Sequence, residues 1–327
     1  MLQRSHFGLV LSLAAALGLA ACGSKDTGPS FNGTISDGDA ASFGGTADNF
    51  AADMLGTFDF GGPSISTVSA RASDHAIALL NQANTMAGTP RRFRAEGRPV
   101  PAPLALISSA CTPVISGDTA DTDNDGILNN ATETIDCTSV DTASSTTTVI
   151  HEQVHINDVT GLYGFNASVE ITETETSPTE SFRISVNESE NALFTSGSAN
   201  DQVNVDVSES DASGGVTVGG QIHENWNATF TASGTISTSS PLPSGSLAFT
   251  GGFYTTDLAD ATQNFNFSIT TTTPLAYDSG CGTDPRFTSG LITGQLAGGG
   301  ANVGFTVNYE NGCGSSPTIT GHGNAIS

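Results

Sequence analysis

Beyond residue 145 the chain alternates apolar and polar positions. Tyr163, Phe165, Ala167, Val169 and Ile171 fall at odd numbers, with Asn166, Ser168, Glu170 and Thr172 between them. A period of two describes a strand with one dry face and one wet face. Phe182, Ile184 and Val186 repeat the pattern, as do Val203, Val205 and Val207, then Phe265, Phe267 and Ile269, then Val303, Phe305, Val307 and Tyr309. The longest case runs through Val216, Val218, Ile222, Trp226, Ala228, Phe230, Ala232 and Ile236, all even. Such a phase predicts either one very long bent strand or a turn of odd length that preserves it. Turn signals at Ser213-Gly214-Gly215, at Pro241 to Gly245, at Gly298 to Gly300 and at Asn311-Gly312 divide the stretch into about ten strands. So many consecutive strands cannot lie flat without exposing their edges, and the economical solution is a large antiparallel meander curled into a closed or half-open barrel.

Upstream the pattern is weaker. Residues 49–110 read as a short helical or irregular segment and linker. Ile77, Leu79 and Leu80 share one side of a possible short helix, with Ser73 or Asp74 as its N-cap. Arg91, Arg92, Arg94 and Arg98 then fall within eight residues, just before Pro99-Val100-Pro101-Ala102-Pro103, and read as a solvated linker balancing an acidic body. Residues 22–48, rich in Gly, Ser and Asp, read as a flexible tether. The β domain is expected over 111–327.

Composition changes the picture in two ways. Of 327 residues, only 9 are Lys or Arg against 33 Asp or Glu, a net charge of -24. This field repels a phosphate backbone and excludes nucleic acid as a partner. Charged residues are only 13% of the chain, while Ser and Thr number 38 and 42, so the polar surface is mostly hydroxyl. Long amphipathic helices, which need Glu, Lys and Arg on their wet face, are not expected to dominate.

The first 21 residues read as a cleaved signal. Arg4 precedes an uncharged apolar run from Phe7 to Ala21, too short for a comfortable membrane span. The run ends in Leu19-Ala20-Ala21-Cys22, which resembles the lipobox of bacterial lipoproteins. The resemblance implies cleavage before Cys22, followed by a diacylglyceryl thioether and an N-acyl chain, the palmitate type of modification. Several acyl chains hold a protein to a bilayer stably. No Asp follows the Cys, and by resemblance to the Gram-negative sorting pattern this points to lipid anchoring at the outer membrane, on its periplasmic or cell-surface side. The alternation by itself would also suit a membrane-spanning barrel. Against that stand the lipobox, the terminal Asn-Ala-Ile-Ser and the scarcity of girdle aromatics, with one Trp and four Tyr.

With Cys22 lipidated, Cys111, Cys137, Cys281 and Cys313 remain, an even number in an oxidising compartment. Two disulfides are expected. Three pairings are open in principle, and Cys111 with Cys137 and Cys281 with Cys313 is the local one. Between the first two lies Asp121-Thr-Asp123-Asn-Asp125-Gly126-Ile127, which resembles the D-x-D-x-D-G calcium loops of EF-hand-like and thrombospondin type 3 repeats. Calcium takes six to eight oxygens, and a Gly permits the turn that brings the next carbonyl inward. The resemblance makes Asp121, Asp123 and Asp125 side-chain ligands and Ile127 a carbonyl ligand. Thr132 stands where an EF-hand has its Glu, so the closing ligand is left open among Asn129, Glu133 and Asp136.

His151-Glu152-Gln153-Val154-His155 spells the H-E-x-x-H of zincin peptidases, in which two His on one helix face bind zinc and the Glu is the base. Thr146 to Ile150, five β-branched residues, favour a strand instead. A strand would put both His on one face and Glu152 on the other, which argues against zinc. The expectation is therefore a lipid-anchored, non-enzymatic β protein of the cell envelope with a binding or structural role, carrying an apolar ligand in its barrel as the more specific version. A zinc metallopeptidase built on His151, Glu152 and His155 is the alternative.

Overall fold

A computed structural model describes residues 112–123, 127–159, 161–213, 216–237, 241–257, 264–281, 287–298, 301–310 and 312–322. It also describes Ala40, Ala41, Gly44, Gly45, Ala47, Asp48, Ala51 and Leu55. The described chain is a single 12-stranded sheet in which every strand pairs with its sequence neighbours. The strands are β1 (Val114–Asp118), β2 (Asn130–Asp141), β3 (Thr146–Asp158), β4 (Tyr163–Thr176), β5 (Glu180–Phe194) and β6 (Ser198–Ser213). They continue as β7 (Val216–Ala232), β8 (Gly245–Asp257), β9 (Phe265–Tyr277), β10 (Phe287–Gly298), β11 (Ala301–Tyr309) and β12 (Thr318–His322). All pairings are antiparallel, so the architecture is the meander that the alternation predicts. The unbroken even phase after Val216 resolves into one strand of 17 residues, β7, followed by a turn that returns Ile236 to the core.

Burial follows residue parity. Along β4, Tyr163, Phe165, Ala167, Val169 and Ile171 are buried, whereas Asn166, Ser168 and Glu170 are exposed. Each fully buried Phe or Ile contributes about 1.5–3 kcal/mol relative to exposure, and β branching fits the pleat. One cluster gathers these buried side chains from β2 through β11. A sheet whose apolar face is covered along its whole width, with hydroxyls and amides on the other face, has curled around that face. A membrane-spanning barrel needs the opposite arrangement, with its apolar residues turned outward to lipid. Among the described residues, β1 and β12 are the two edges, and all five residues of β1 are exposed.

Part of the cover comes from the N-terminal side. The described residues at 40, 41, 44, 45, 47, 48, 51 and 55 are helical, and Ala40, Ala47 and Ala51 are fully buried. They share one helical face with Gly44, by their spacing of three and four. A Cβ on Gly44 would sit 2.4 Å from Ile319 Cγ2 of β12, so the helical backbone rests directly on the sheet. Tyr309 of β11 donates a hydrogen bond of 2.5 Å to Asp48 Oδ1. Burial holds the Asp48 carboxyl above its usual range and pushes the Tyr309 hydroxyl up as well. Six of these described helical residues, Ala40 to Asp48, fall within the stretch 22–48 that reads from sequence as a tether. The small residues that suggest a tether are also the ones that allow close packing.

Candidate functional site

The described residues of the acidic loop between β1 and β2 converge on Asn129. The Asn129 side-chain oxygen accepts hydrogen bonds from the Thr122 amide at 3.3 Å and the Thr122 hydroxyl at 3.1 Å. Its side-chain amide donates to Asp118 Oδ2 at 3.0 Å. The bond from the Asn129 amide, with the one from the Ala120 amide, holds the Asp118 carboxyl below its usual range. The Asn129 side chain therefore shapes the loop. Ile127 is fully buried in the core and pins the loop to the sheet. Asp125 lies outside the described residues.

Two of the candidate closing ligands point elsewhere. Glu133 pairs with Val154 on the inner face, and burial first, then the Glu152 charge, raises its carboxyl. Asp136 faces outward, where its Oδ1 meets His151 Nδ1 at 2.7 Å. The acid that does approach the loop is Asp158, at the end of β3, which sequence reasoning missed. Its amide donates to the Asn129 carbonyl at 3.2 Å, and its Oδ1 is buried without a hydrogen-bond partner. Burial, followed by the charges of Asp123 and then Asp121, raises the Asp158 carboxyl above its usual range. The signal that finds Asp158 is the register, since Asn157 stands opposite Asn130 at the mouth of the loop. Among the described residues no group of three or more His, Cys, Asp or Glu is drawn close enough to hold a metal as the side chains stand.

The H-E-x-x-H residues lie in the middle of β3. Glu152 is 2% exposed and faces inward between Ile135 and Ile171. His151 and His155 face outward, and His155 Nδ1 lies 3.0 Å from the Thr132 hydroxyl. A strand cannot bring both His and the Glu to one ion, because successive side chains point to opposite faces. The geometry required of a zincin is absent from these residues.

A different group of acids emerges on the inner face. Glu173, Glu209, Asp211, Asp201 and Glu224 are buried along with Glu152. They continue the apolar phases in register: Glu173 follows Ile171, Glu209 and Asp211 follow Val207, and Glu224 lies between Ile222 and Trp226. The Trp226 indole donates to Glu224. No family model matches the chain, and no curated protein or solved structure does. The residues themselves therefore carry the functional argument.

Cys281 and Cys313 form a disulfide that links the loop after β9 to the one after β11. Cys137 is also disulfide-bonded. Cys111 and the lipobox residue Cys22 lie outside the described residues.

Proposed function

We propose that this chain is a lipid-anchored protein of the bacterial envelope, an outer-membrane lipoprotein with a structural or binding role and no catalysis of its own. One observation carries the reading: the sheet turns a wall of Ser, Thr and Asn outward and keeps its apolar face covered. Such a wall gains nothing from hydrocarbon, so attachment to a bilayer has to come from elsewhere, and the acyl chains implied at Cys22 would supply it. The test is incorporation of radiolabelled palmitate in cells, with Cys22→Ser as the comparison. The reading expects label on the wild type alone and release of the variant to the soluble fraction. A Cys22→Ser protein that stays with the membrane would overturn it.

The loop between β1 and β2 serves this protein as a structural calcium site, with Asp121, Asp123, Asp125 and the Ile127 carbonyl as ligands and Asp158 as the closing carboxylate. Support comes from the buried Oδ1 of Asp158 and from the mutual repulsion of these acids, which a divalent cation would relieve. The more specific version, carriage of an apolar ligand, finds support in the aromatic inner face of β9 to β11. The helical residues between 40 and 55 already cover part of that face. Solvent extraction and mass spectrometry of the purified protein separates the two, since a carrier yields about one lipid per chain beyond the anchor and a scaffold yields none.

A further inference from the structure

The outer face of β8 to β12 differs from the rest of the sheet in its lack of charge. Every strand from β2 to β7 contains at least one Asp or Glu. The strands β8 to β12 contain no Lys, Arg or Glu, and their one acid is Asp257 at the end of β8. In a chain of net charge -24 this is a neutral field of hydroxyls and amides. Register sets them in rows. Thr250 pairs with Thr270, Thr270 with Thr293, Thr293 with Thr306 and Thr306 with Thr320, so a line of threonines crosses the strands at steps of about 4.8 Å. They lie on the side opposite to the buried Phe249, Ile269, Ile292 and Phe305. The neighbouring row is Gly252, Ser268, Gln295, Gly304 and His322. Its two glycines lower the surface beside the threonines. An open groove of about 430 Å³ results, and its outward lining is Thr250, Ser268, Thr270, Thr293, Gln295 and Gly304. Register shifts next to Thr250 and Thr293 bend the strands at this place.

We propose that this groove binds a neutral glycan, laid across the strands with one sugar ring against Tyr254. The chemistry of the lining selects the occupant. Hydroxyl and carboxamide side chains both donate and accept hydrogen bonds, as sugar hydroxyls do, so the two surfaces can satisfy each other in either direction. An anion needs cationic donors, a metal ion needs carboxylates and a lipid needs apolar walls, whereas the outward side chains of the groove are hydroxyls and one carboxamide. The apolar face of a sugar ring needs a plate to lie on, and Tyr254 supplies it. It stands on β8 two residues from Gly252 and is 47% exposed on a surface that is otherwise polar. Its ring rests against the His223 ring at 5.0 Å, and His223 Nδ1 meets Asp206 Oδ1 at 2.6 Å. The plate is therefore held in place before a ligand arrives, which lowers the cost of binding. Asn266 opposite Tyr254 and Asn225 opposite Gly252 extend the hydrogen-bonding rim. The Thr270 hydroxyl donates to the Phe249 carbonyl at 3.4 Å and keeps its lone pairs for a ligand hydroxyl. This inference depends neither on the anchor nor on calcium, and an apolar cargo concerns the other face of the sheet.

The test is affinity electrophoresis of the purified chain in native gels cast with dextran, a mannan, a galactan, a β-glucan or N-acetylated glycol chitin as neutral polymers, and with dextran sulfate as the charged control. Retardation in at least one neutral polymer and none in dextran sulfate is expected. Retardation in no neutral polymer, or as strong in dextran sulfate as in the neutral ones, overturns the inference. Two variants then locate the ligand. Tyr254→Ala removes the plate from an exposed position and is expected to weaken binding at least about fivefold. Gly304→Leu fills the groove and is expected to abolish binding. A Cβ on Gly304 meets only the Gly294 carbonyl oxygen, at 3.8 Å, so the strand accepts the side chain. Both variants are expected to melt within about 3 °C of the wild type, which separates lost binding from lost structure. Undiminished binding by either folded variant places the glycan elsewhere and overturns the inference.

Discussion

The two arcs of the sheet hide different interiors. From β2 to β7 the strands are 12 to 17 residues long, their registers run without a break, and the inner face mixes valines and isoleucines with carboxylates. From β8 to β11 the strands are 9 to 13 residues long, and register shifts interrupt the pairing of β9 with both of its neighbours. There the buried inner face is Leu247, Phe249, Phe267, Ile269, Leu275, Tyr277, Phe287, Ile292, Leu296, Val303, Phe305, Val307 and Tyr309, with Thr255 as its one buried polar residue among those described. Phe267 and Phe305 stack at 6.2 Å, and Phe287 meets Tyr309 edge-on at 5.3 Å. Gly294 makes room for this packing, because a Cβ there would lie 2.0 Å from the Phe305 ring. The difference is one of specification. A dry aromatic arc is held by shape, whereas an acid-bearing arc is held by whatever answers its charge.

The largest expected effect tests the shape of the dry arc. Phe305 is 2% exposed, lies over Gly294 and contacts Phe267. Phe305→Ala leaves a cavity that a rigid sheet cannot close, and the loss is about 3–5 kcal/mol in urea unfolding. A loss under about 1 kcal/mol would show that the arc is loosely packed and that the contrast between the two interiors is one of composition only.

Next in size is the bridge between Cys281 and Cys313, which spans 32 positions of the dry arc. Removing both thiols as Cys281→Ser and Cys313→Ser is expected to cost about 2–4 kcal/mol by releasing the unfolded chain. Hydrogen exchange locates the effect. If the arcs are separately stabilised, amides of β9 to β11 lose protection while those of β4 to β6 keep theirs. Equal loss in both would mean that the sheet opens as one unit and that the arcs differ in chemistry without differing in cooperativity.

How far the sequence could be read follows the same division. Strict alternation made β4 to β7, β9 and β11 legible because the apolar residue types announced the inner face, and even the 17 residues of β7 kept their phase, whereas β8 and β10, whose pairings with β9 carry register shifts, show no such alternation in sequence. The strands β1 and β2 were not legible as strands. Asn130–Asp141 puts Ala131, Glu133, Ile135 and Cys137 on its inner side, too weak a stripe to stand out beside an acidic loop. The inner carboxylates were visible as continuations of apolar phases, yet an acid in a sequence reads as surface, and only a packed interior shows otherwise. The five β-branched residues before His151 did decide between strand and helix, and with that the disposition of Glu152. Asp158 was out of reach, since it approaches the calcium-type loop through the pairing of β2 with β3, a contact between distant positions.

The smallest effect comes from the two ends of β3, where acids with opposite environments separate charge relief from turn geometry. Asp158 is raised by burial and by the charges of Asp123 and Asp121, so its ionised form opposes folding. Its favourable contribution is complete below the unfolded carboxylate range and is lost as pH rises through its folded value. Asp158→Asn is therefore expected to raise the melting temperature at pH 7 without calcium, by about 1–3 °C for a partly solvated group. The gain disappears as the pH falls through the carboxylate range, where the wild type protonates too. Asp141, just before β3, is lowered because its carboxylate accepts from the Ser144 hydroxyl at 2.7 Å and the Ala143 amide at 2.9 Å. Its contribution is present above the unfolded range and fades as the pH falls through its lower folded value, so Asp141→Asn is destabilising at pH 7 and neutral in acid. Calcium separates the pair further. If Asp158 closes the loop, added calcium stabilises the wild type and Asp141→Asn alike but not Asp158→Asn, whose advantage then reverses. Equal calcium stabilisation of all three proteins would remove Asp158 from the site and leave its raised carboxyl as a consequence of crowding alone.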